Sequence, residues 1–426
     1  MERLIELIKE AGIKDYCISG IHEESAELFF VKKKLDMRRI KDTEEIVITV
    51  IKDFEENGTK YRGTATIQGN PYLSNEEWIS KLKNAAYSAE FVKNPFYELP
   101  GKEISEKVIV ESSLNAYSLD EAAEGFVKEI FKEDTEEKSF INSLEIFSEK
   151  ESVRVITSKG TDVSYEKRSI KGEFVSQCKA LQDVETYQEF SFDEYDLEGI
   201  RALVKRTLKM TLDRAMAYEM PKSGTKDVVI SDKYMAQLFK FYLDRANAAY
   251  IYQGYSNFSL GSKIQGENIK GEKLNMEYIQ KVPFNDEGIK MGELSFVKEG
   301  ILENIHGTMR FLDYLNLKKT GMYEKVRLKE GKVKLEDMLN QPVIYVVNFS
   351  DFQMDSFDGH FKGEIRLAYE YDGEGNVKFL TGGSINGSIF EAEKDFSFSM
   401  ESIKTSDYEG PRAVLLKNVL ISGSGK

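Results

Sequence analysis

Leu4, Ile5, Leu7 and Ile8 recur at helical spacing at the start of the chain, and Gly12 stands where a helix C-terminal cap belongs. Strand-like runs follow at 15–20 and 27–34. Ile46, Ile48 and Val50 alternate with polar neighbours, the pattern of a half-buried strand over 45–54. That strand and the next, 60–68, flank Asn57-Gly58, a dipeptide suited to a two-residue hairpin turn because both residues tolerate positive φ. Ser74 with Glu77 and Ser118 with Glu121 are capping boxes. They predict helices to about residues 92 and 132. Between them, residues 94–102 carry Pro95, Pro100 and Gly101 and read as a linker.

Residues 140–192 read as β structure, and Asp196 opens a long helix whose apolar face carries Ile200, Val204, Leu208 and Leu212. Residues 221–225 mark a domain boundary. Beyond it the pattern predicts a short strand at 227–230 and a helix over about 233–247. Strands follow at 282–284, 290–298, 342–349, 363–371, 377–381 and 414–421. The expected fold is α+β: a mixed N-terminal region of antiparallel sheets and helices, then a large β-rich C-terminal domain. Three units are expected, 1–102, 103–220 and 221–426.

Composition narrows the chemistry. The 426 residues carry a net charge of −14, which disfavours nucleic acid and anionic membranes as partners. No signal peptide and no apolar run of about 20 residues is legible, so a cytoplasmic location is expected. Two cysteines, Cys17 and Cys178, exclude a disulfide scaffold. Three scattered histidines, His22, His306 and His360, leave no place for the zinc motif H-E-x-x-H.

The remaining motifs are weak. His22-Glu23 is followed by no second imidazole and reads as a surface loop. Asp351, Asp355, Asp358 and His360 form an acidic cluster without the ligand order of an EF-hand, and read as a solvated turn between strands. Residues 266–272 approach a P-loop spacing, but Glu272 stands where a phosphate-binding lysine is needed. Gly373 and Gly375 read as a hairpin turn. Tyr234, Leu238, Phe241 and Tyr242 have the spacing of a packed helix, whereas Tyr250, Tyr252 and Tyr255 lie in a glycine-bearing segment suited to a groove.

Several segments of the second half resemble the TldD/PmbA family, whose members carry the older name modulators of DNA gyrase. They are GYSNFSLGSKI (254–264), VPFNDEGIKMGELSFVKEGILEN (282–304), LNLKKTG (315–321), GEIRLAYEYDGEGNVKFLTGGSINGS (363–388) and the closing Gly410-Pro411. The most diagnostic pieces are Asp286-Glu287-Gly288, Glu299 to Leu302, and Thr320-Gly321. The resemblance implies a peptidase complex of two homologous subunits, one of them zinc-bearing. In the TldD-type subunit a motif H-E-x-x-x-H and a cysteine near the C-terminus hold the metal. Counting back from Gly261 places that motif here at 237–242, with Gln237 and Tyr242 at the imidazole positions and Leu238 at the general base. No cysteine follows Cys178. The chain therefore resembles the PmbA/TldE-type subunit, which lacks the motif. The candidate groove or interface residues are Gly254, Tyr255, Ser256, Asp286, Glu287, Gly288, Thr308, Arg310, Thr320 and Gly321.

The resulting expectation is a non-catalytic subunit of a zinc metallopeptidase complex that positions unfolded peptides for maturation or degradation. It expects no cofactor on this chain, and zinc on a TldD-type partner. Backbone pairing at a sheet edge would bind peptide with little sequence preference. The alternative is a stand-alone homodimeric peptide-binding module. A third reading, a hydrolase built on Asp351, Asp355, Asp358 and His360, lacks an activated nucleophile.

Overall fold

The computed structural model describes residues 1–99, 101, 104–135, 138–220 and 223–423. The expected domain boundaries at 102/103 and 220/221 involve residues 102, 103 and 221. These, with residues 100 and 222, lie outside the described residues. The fold is α+β.

The N-terminal half is one long curved sheet. Helix α1 (Glu2–Glu10) leads into β1 (Asp15–Val31), β2 (Lys34–Glu56) and β3 (Thr59–Gly69), then helix α2 (Asn75–Ala89). Strand β4 (Ile104–Ile109) and helix α3 (Leu119–Glu133) follow. Next come β5 (Ser139–Thr157), β6 (Thr161–Lys179), β7 (Asp183–Phe192) and helix α4 (Leu197–Ala215). The sheet order is β3-β2-β1-β5-β6-β4, with β7 also on β6. Strands on either side of residues 102 and 103 thus share one sheet, because β1 pairs β5 over fifteen residue positions from Cys17 to Val31.

Local sequence chemistry explains the pieces. Ser74 and Ser118 each accept from the N3 amide while Glu77 and Glu121 reach back, so both capping boxes form. Asn57 and Gly58 take φ of 53° and 79°, as a hairpin of this type demands. All four helices lie on one face of the sheet. Ile18, Ile46 and Ile48 pack with Leu4, Ile8, Trp78 and Leu82 at one end. Leu28, Leu144, Ile146 and Phe174 pack with Phe126, Ile130, Val204 and Leu208 at the other. The sheet is a half-barrel, and among the described residues the helices α1–α4 lie on its outer face.

The C-terminal half closes a small barrel. Strands Pro342–Met354, Gly224–Ser231, Ala413–Ser422, Ser384–Ser388 and His360–Asp372 pair in that order, and Pro342–Met354 returns to His360–Asp372. A second, six-stranded sheet runs through Met276–Ile279 and Lys325–Leu328. Helix α5 (Lys233–Arg245) joins the two. Tyr234 meets Phe349 of the barrel at 4.7 Å, and Phe239 meets Phe396 and Phe398 at 5.6 Å. Residues of α5, the barrel and the six-stranded sheet form one core.

Three expectations are corrected. The runs at 15–20 and 27–34 join into one strand, β1, which ends at Val31 before a turn into β2 at Lys34, so His22 lies within a strand and not in a loop; its Nε2 sits 2.8 Å from Asp42 Oδ1. The expected strand at 282–284 is a loop with one bridge, Phe284 to Lys290. It leaves the six-stranded sheet because Phe284 is drawn into the half-barrel, against Val153, Val155, Val163 and Tyr165. The linker at 94–102 is tied down in its described part: Tyr314 donates to Pro95 O at 2.8 Å, and Glu98 N donates to Asp313 Oδ2 at 3.1 Å.

Candidate functional site

Helix α5 carries the three positions at which the family resemblance would place zinc ligands and base. Gln237 is exposed, while Leu238 and Tyr242 are fully buried. Tyr242 donates its hydroxyl to Glu393 Oε2 at 2.5 Å. Burial raises the Glu393 carboxyl to about 7, against the opposing effects of the Tyr242 hydrogen bond and Lys394. Gln265 Nε2 donates to Glu393 O at 3.2 Å and holds that residue's backbone. The donor set does not suit zinc: an alkyl chain, a phenol already committed to a carboxyl, and an amide on the opposite, solvated side.

His306, the histidine nearest this helix in the fold, is also engaged. Its Nε2 lies 2.9 Å from Leu243 O and its Nδ1 accepts from Tyr323 N at 3.1 Å. Burial lowers its pKa to about 4, so the ring is neutral and structural. The acidic turn is likewise self-satisfied. Asp355 Oδ1 accepts from Phe357 N at 2.7 Å, and Asp358 Oδ1 accepts from His360 N at 2.8 Å. Asp351 accepts from Gln353 Nε2 at 2.6 Å. Among the described residues no group of three His, Cys, Asp or Glu side chains could hold a metal ion.

Asp286-Glu287-Gly288 forms a wedge between the two halves. Val282 and Phe284 enter the half-barrel core just before it. Cys17 Sγ donates to Asp286 O at 3.4 Å. Both oxygens of Glu287 accept from Met309 N, at 3.1 and 3.2 Å, and burial, reinforced by Asp286, raises this carboxyl to about 7. Gly288 has φ of 74°, and a methyl there would stand 2.7 Å from Thr161 Cγ2. Exposed Thr308 precedes helix Met309–Tyr314, whose Arg310 donates to Asn94 Oδ1 at 3.1 Å. Asp286, Glu287, Gly288 and Arg310 therefore belong to an interface inside the chain. Thr320 lies behind it, donating to Ile305 O at 2.7 Å, and Gly321 at φ of 83° packs on Met291.

Gly254, Tyr255 and Ser256 form a separate cluster at the far end of α5. Gly254 has φ of 77° after helix Ala248–Tyr252. Ser256 Oγ donates to Arg245 O at 2.6 Å. Half-exposed Tyr255 packs its ring against Phe357 at 5.3 Å. The helix that precedes this cluster packs on the helix that carries Arg310, Tyr252 meeting Phe311 at 5.7 Å and Tyr314 at 4.9 Å.

A different surface has the shape of a binding face. The inner face of the half-barrel is lined by ion pairs across neighbouring strands. Arg39 meets Glu27 at 2.5 Å, Lys41 meets Glu23 at 2.7 Å, Lys171 meets Glu149 at 2.7 Å and Lys167 meets Glu151 at 3.1 Å. Phe29 and Phe147 form an edge-to-face pair among them at 5.7 Å. An open groove of about 680 Å³ lies over this face, lined by Glu23, Glu27, Arg39, Lys41, Glu149 and Lys171 among others. Glu27 is only 3% exposed although no helix covers it. The signal for this face was present in the sequence: acids at 23 and 27 and bases at 39 and 41 share a face once the β1–β2 register is known.

Residues 223–423 match the model of the PmbA/TldA metallopeptidase C-terminal domain. No curated protein sequence matches the chain. Three solved structures share the fold over nearly the whole length. A putative modulator of DNA gyrase from Thermotoga maritima has a TM-score of 0.78 at 15% identity, covering 99% of both chains. TldE from Thermococcus kodakarensis has 0.77 at 17%, covering 99% of this chain and 100% of that one. A putative modulator of DNA gyrase from Bacteroides thetaiotaomicron has 0.78 at 14%, covering 99% and 98%.

Proposed function

From the match of residues 223–423 to the PmbA/TldA metallopeptidase C-terminal domain, we propose that this chain is the non-catalytic, TldE-like subunit of a two-subunit zinc peptidase. It holds extended, unfolded peptides for maturation or degradation while a TldD-type partner supplies metal and activated water. The observation that carries this reading is the state of α5. Leu238 and Tyr242 face the core, and Tyr242 is bound to Glu393, so the helix turns packing side chains where the catalytic subunit needs ligands.

The peptide-holding role is supported by the groove on the half-barrel's inner face. Its charges are paired within the protein, and aromatic rings lie between them. Such a surface gives an extended chain polar and apolar contacts without demanding one charge from it. The wedge around Glu287 fixes this face relative to the C-terminal domain. Zinc content and hydrolysis of an unfolded peptide should be measured on the purified chain, alone and with a TldD-type subunit. The expected result is no stoichiometric zinc and no cleavage alone, with cleavage in the mixture. Zinc and cleavage by the isolated chain would overturn the proposal.

A further inference from the structure

Residues 94–99 form a strap between the two halves. On one side the strap lies on the half-barrel. Arg62 N donates to Asn94 O at 3.0 Å, Asn94 Nδ2 donates to Arg62 O at 3.1 Å, and Tyr61 bridges Pro95. The Arg62 guanidinium, held by Asp53 at 2.6 and 2.7 Å, also donates to Tyr97 O. On the other side, helix Met309–Tyr314 of the C-terminal half grips the same strap. Arg310 Nη1 donates to Asn94 Oδ1 at 3.1 Å, Tyr314 donates to Pro95 O at 2.8 Å, and Asp313 Oδ2 accepts from Glu98 N at 3.1 Å. Buried Tyr97 meets Tyr314 edge to face at 6.0 Å. Asn94 is thus a residue that both halves hold.

Glu287 stands behind that grip. Its two oxygens share a single donor, Met309 N, so the helix that holds the strap starts on this carboxyl. Few charged or titratable groups face it. Its own loop supplies Asp286, a second acid; the helix supplies Arg310; β1 supplies the Cys17 thiol and the strap supplies Tyr97. Tyr165 of β6 lies near Asp286. Arg310 is the cation that faces Glu287, yet no ion pair joins the two. Its guanidinium is turned to Asn94 and lies 4.4 Å from the ring centre of Phe311.

Closing the seam takes the Glu287 carboxyl out of water, which disfavours its charged form. By linkage, the charged form favours an opened seam by the same free energy. An ionised Glu287 also competes with Asn94 for Arg310, because a charge-assisted bond outweighs one to a neutral amide. We propose that this seam is a proton-operated clasp: with Glu287 protonated, Arg310 holds Asn94 and the strap is fastened to both halves, and once Glu287 ionises, Arg310 turns to it and the strap is released on the C-terminal side. The position of this carboxyl at about 7 sets the changeover near neutral pH. The inference rests on the seam alone and stands whether or not the chain holds peptides.

The test is amide hydrogen exchange of the full chain between about pH 5.5 and about pH 8.5. It is read as protection relative to an unstructured peptide, so that the intrinsic pH dependence of exchange cancels. Glu98 N reports the C-terminal side of the strap. In the wild type its protection is expected to fall about tenfold across this range. Glu287→Gln keeps an acceptor for Met309 N and cannot ionise, so its protection should hold the acid-side value throughout. Arg310→Gln removes the moving part and should stay low throughout. Glu393→Gln removes the other raised carboxyl and with it the general loss of stability in this range, and should keep the wild-type fall at Glu98. Circular dichroism checks that each variant is folded. Constant protection in the wild type, a Glu287→Gln chain that follows the wild type, an Arg310→Gln chain that still shows the fall, or a Glu393→Gln chain that loses it overturns the proposal. Neither zinc nor peptide cleavage enters this readout, so its failure is distinct from that of the peptidase reading.

Discussion

Burial holds a proton on Glu393 up to about pH 7 in the folded state, while the unfolded chain releases it near 4.5. The stability this group contributes is therefore complete below about pH 4.5 and is lost as pH rises through about 7. The displacement corresponds to something on the order of 3 kcal/mol. Glu287 acts with the same sign. His306 acts in the opposite sense: its neutral form stabilises above about 6.5, and that contribution is lost as pH falls through about 4. Glu393→Gln keeps an acceptor for the Tyr242 hydroxyl and removes the titration. Denaturant melts of this variant should show a flatter decline between about pH 5 and pH 8 than the wild type; an unchanged slope would contradict the assignment. Tyr242→Phe leaves the carboxyl unpartnered and should cost about 1–3 kcal/mol at neutral pH. Both effects were invisible in the sequence, because Tyr242 and Glu393 are 151 positions apart.

At the scale of elements, local chemistry was legible and long-range pairing was not. The two capping boxes, the Asn57-Gly58 turn and the Asp196 cap each depend on a few neighbouring residues, and each forms as expected. Strand β1 was broken in the reading and β2 was cut short to 45–54, because the missing portions carry polar residues on both faces. On the helix face stand His22 and Glu24; on the inner face stand Glu23 and Glu27, whose partners lie on another strand. Hydrophobic alternation cannot report a strand held by cross-strand ion pairs. The Asp286-Glu287-Gly288 motif was seen, but its work as a wedge was not, since Thr161 and Cys17 come from distant sequence. Gly288→Val combines a positive φ with a clash against Thr161 and should destabilise by about 2–4 kcal/mol. Limited proteolysis near residues 94–101 should quicken in this variant; an unaltered cleavage rate would mean the wedge does not clamp that segment.

Across the whole molecule, Phe284 is a deeply placed link between the halves, 1% exposed in a pocket made largely by β5 and β6. A charged side chain there cannot be accommodated without separating the half-barrel from the C-terminal domain. Calorimetry of Phe284→Asp is expected to resolve two unfolding transitions where the wild type shows a single or more closely overlapped one. Two identical traces would mean that other contacts, such as Tyr314 with Pro95, dominate the coupling. The family-level architecture was readable from the ordered motifs of the second half, whereas the single sheet spanning residues 102 and 103 was not. Its β1–β5 pairing joins segments more than 110 residues apart, and no local pattern announces it.

The side chains of α5 also act as a ratchet on what this helix can become. Replacing Tyr242 by histidine would strand a buried acid and open a void among Phe239, Phe241 and Phe396. Replacing Leu238 by glutamate would bury a charge in the same core. Each step toward a ligand-bearing helix is disfavoured before any metal arrives to compensate it. The aromatic packing around α5 thereby resists, step by step, any change of these positions into metal ligands.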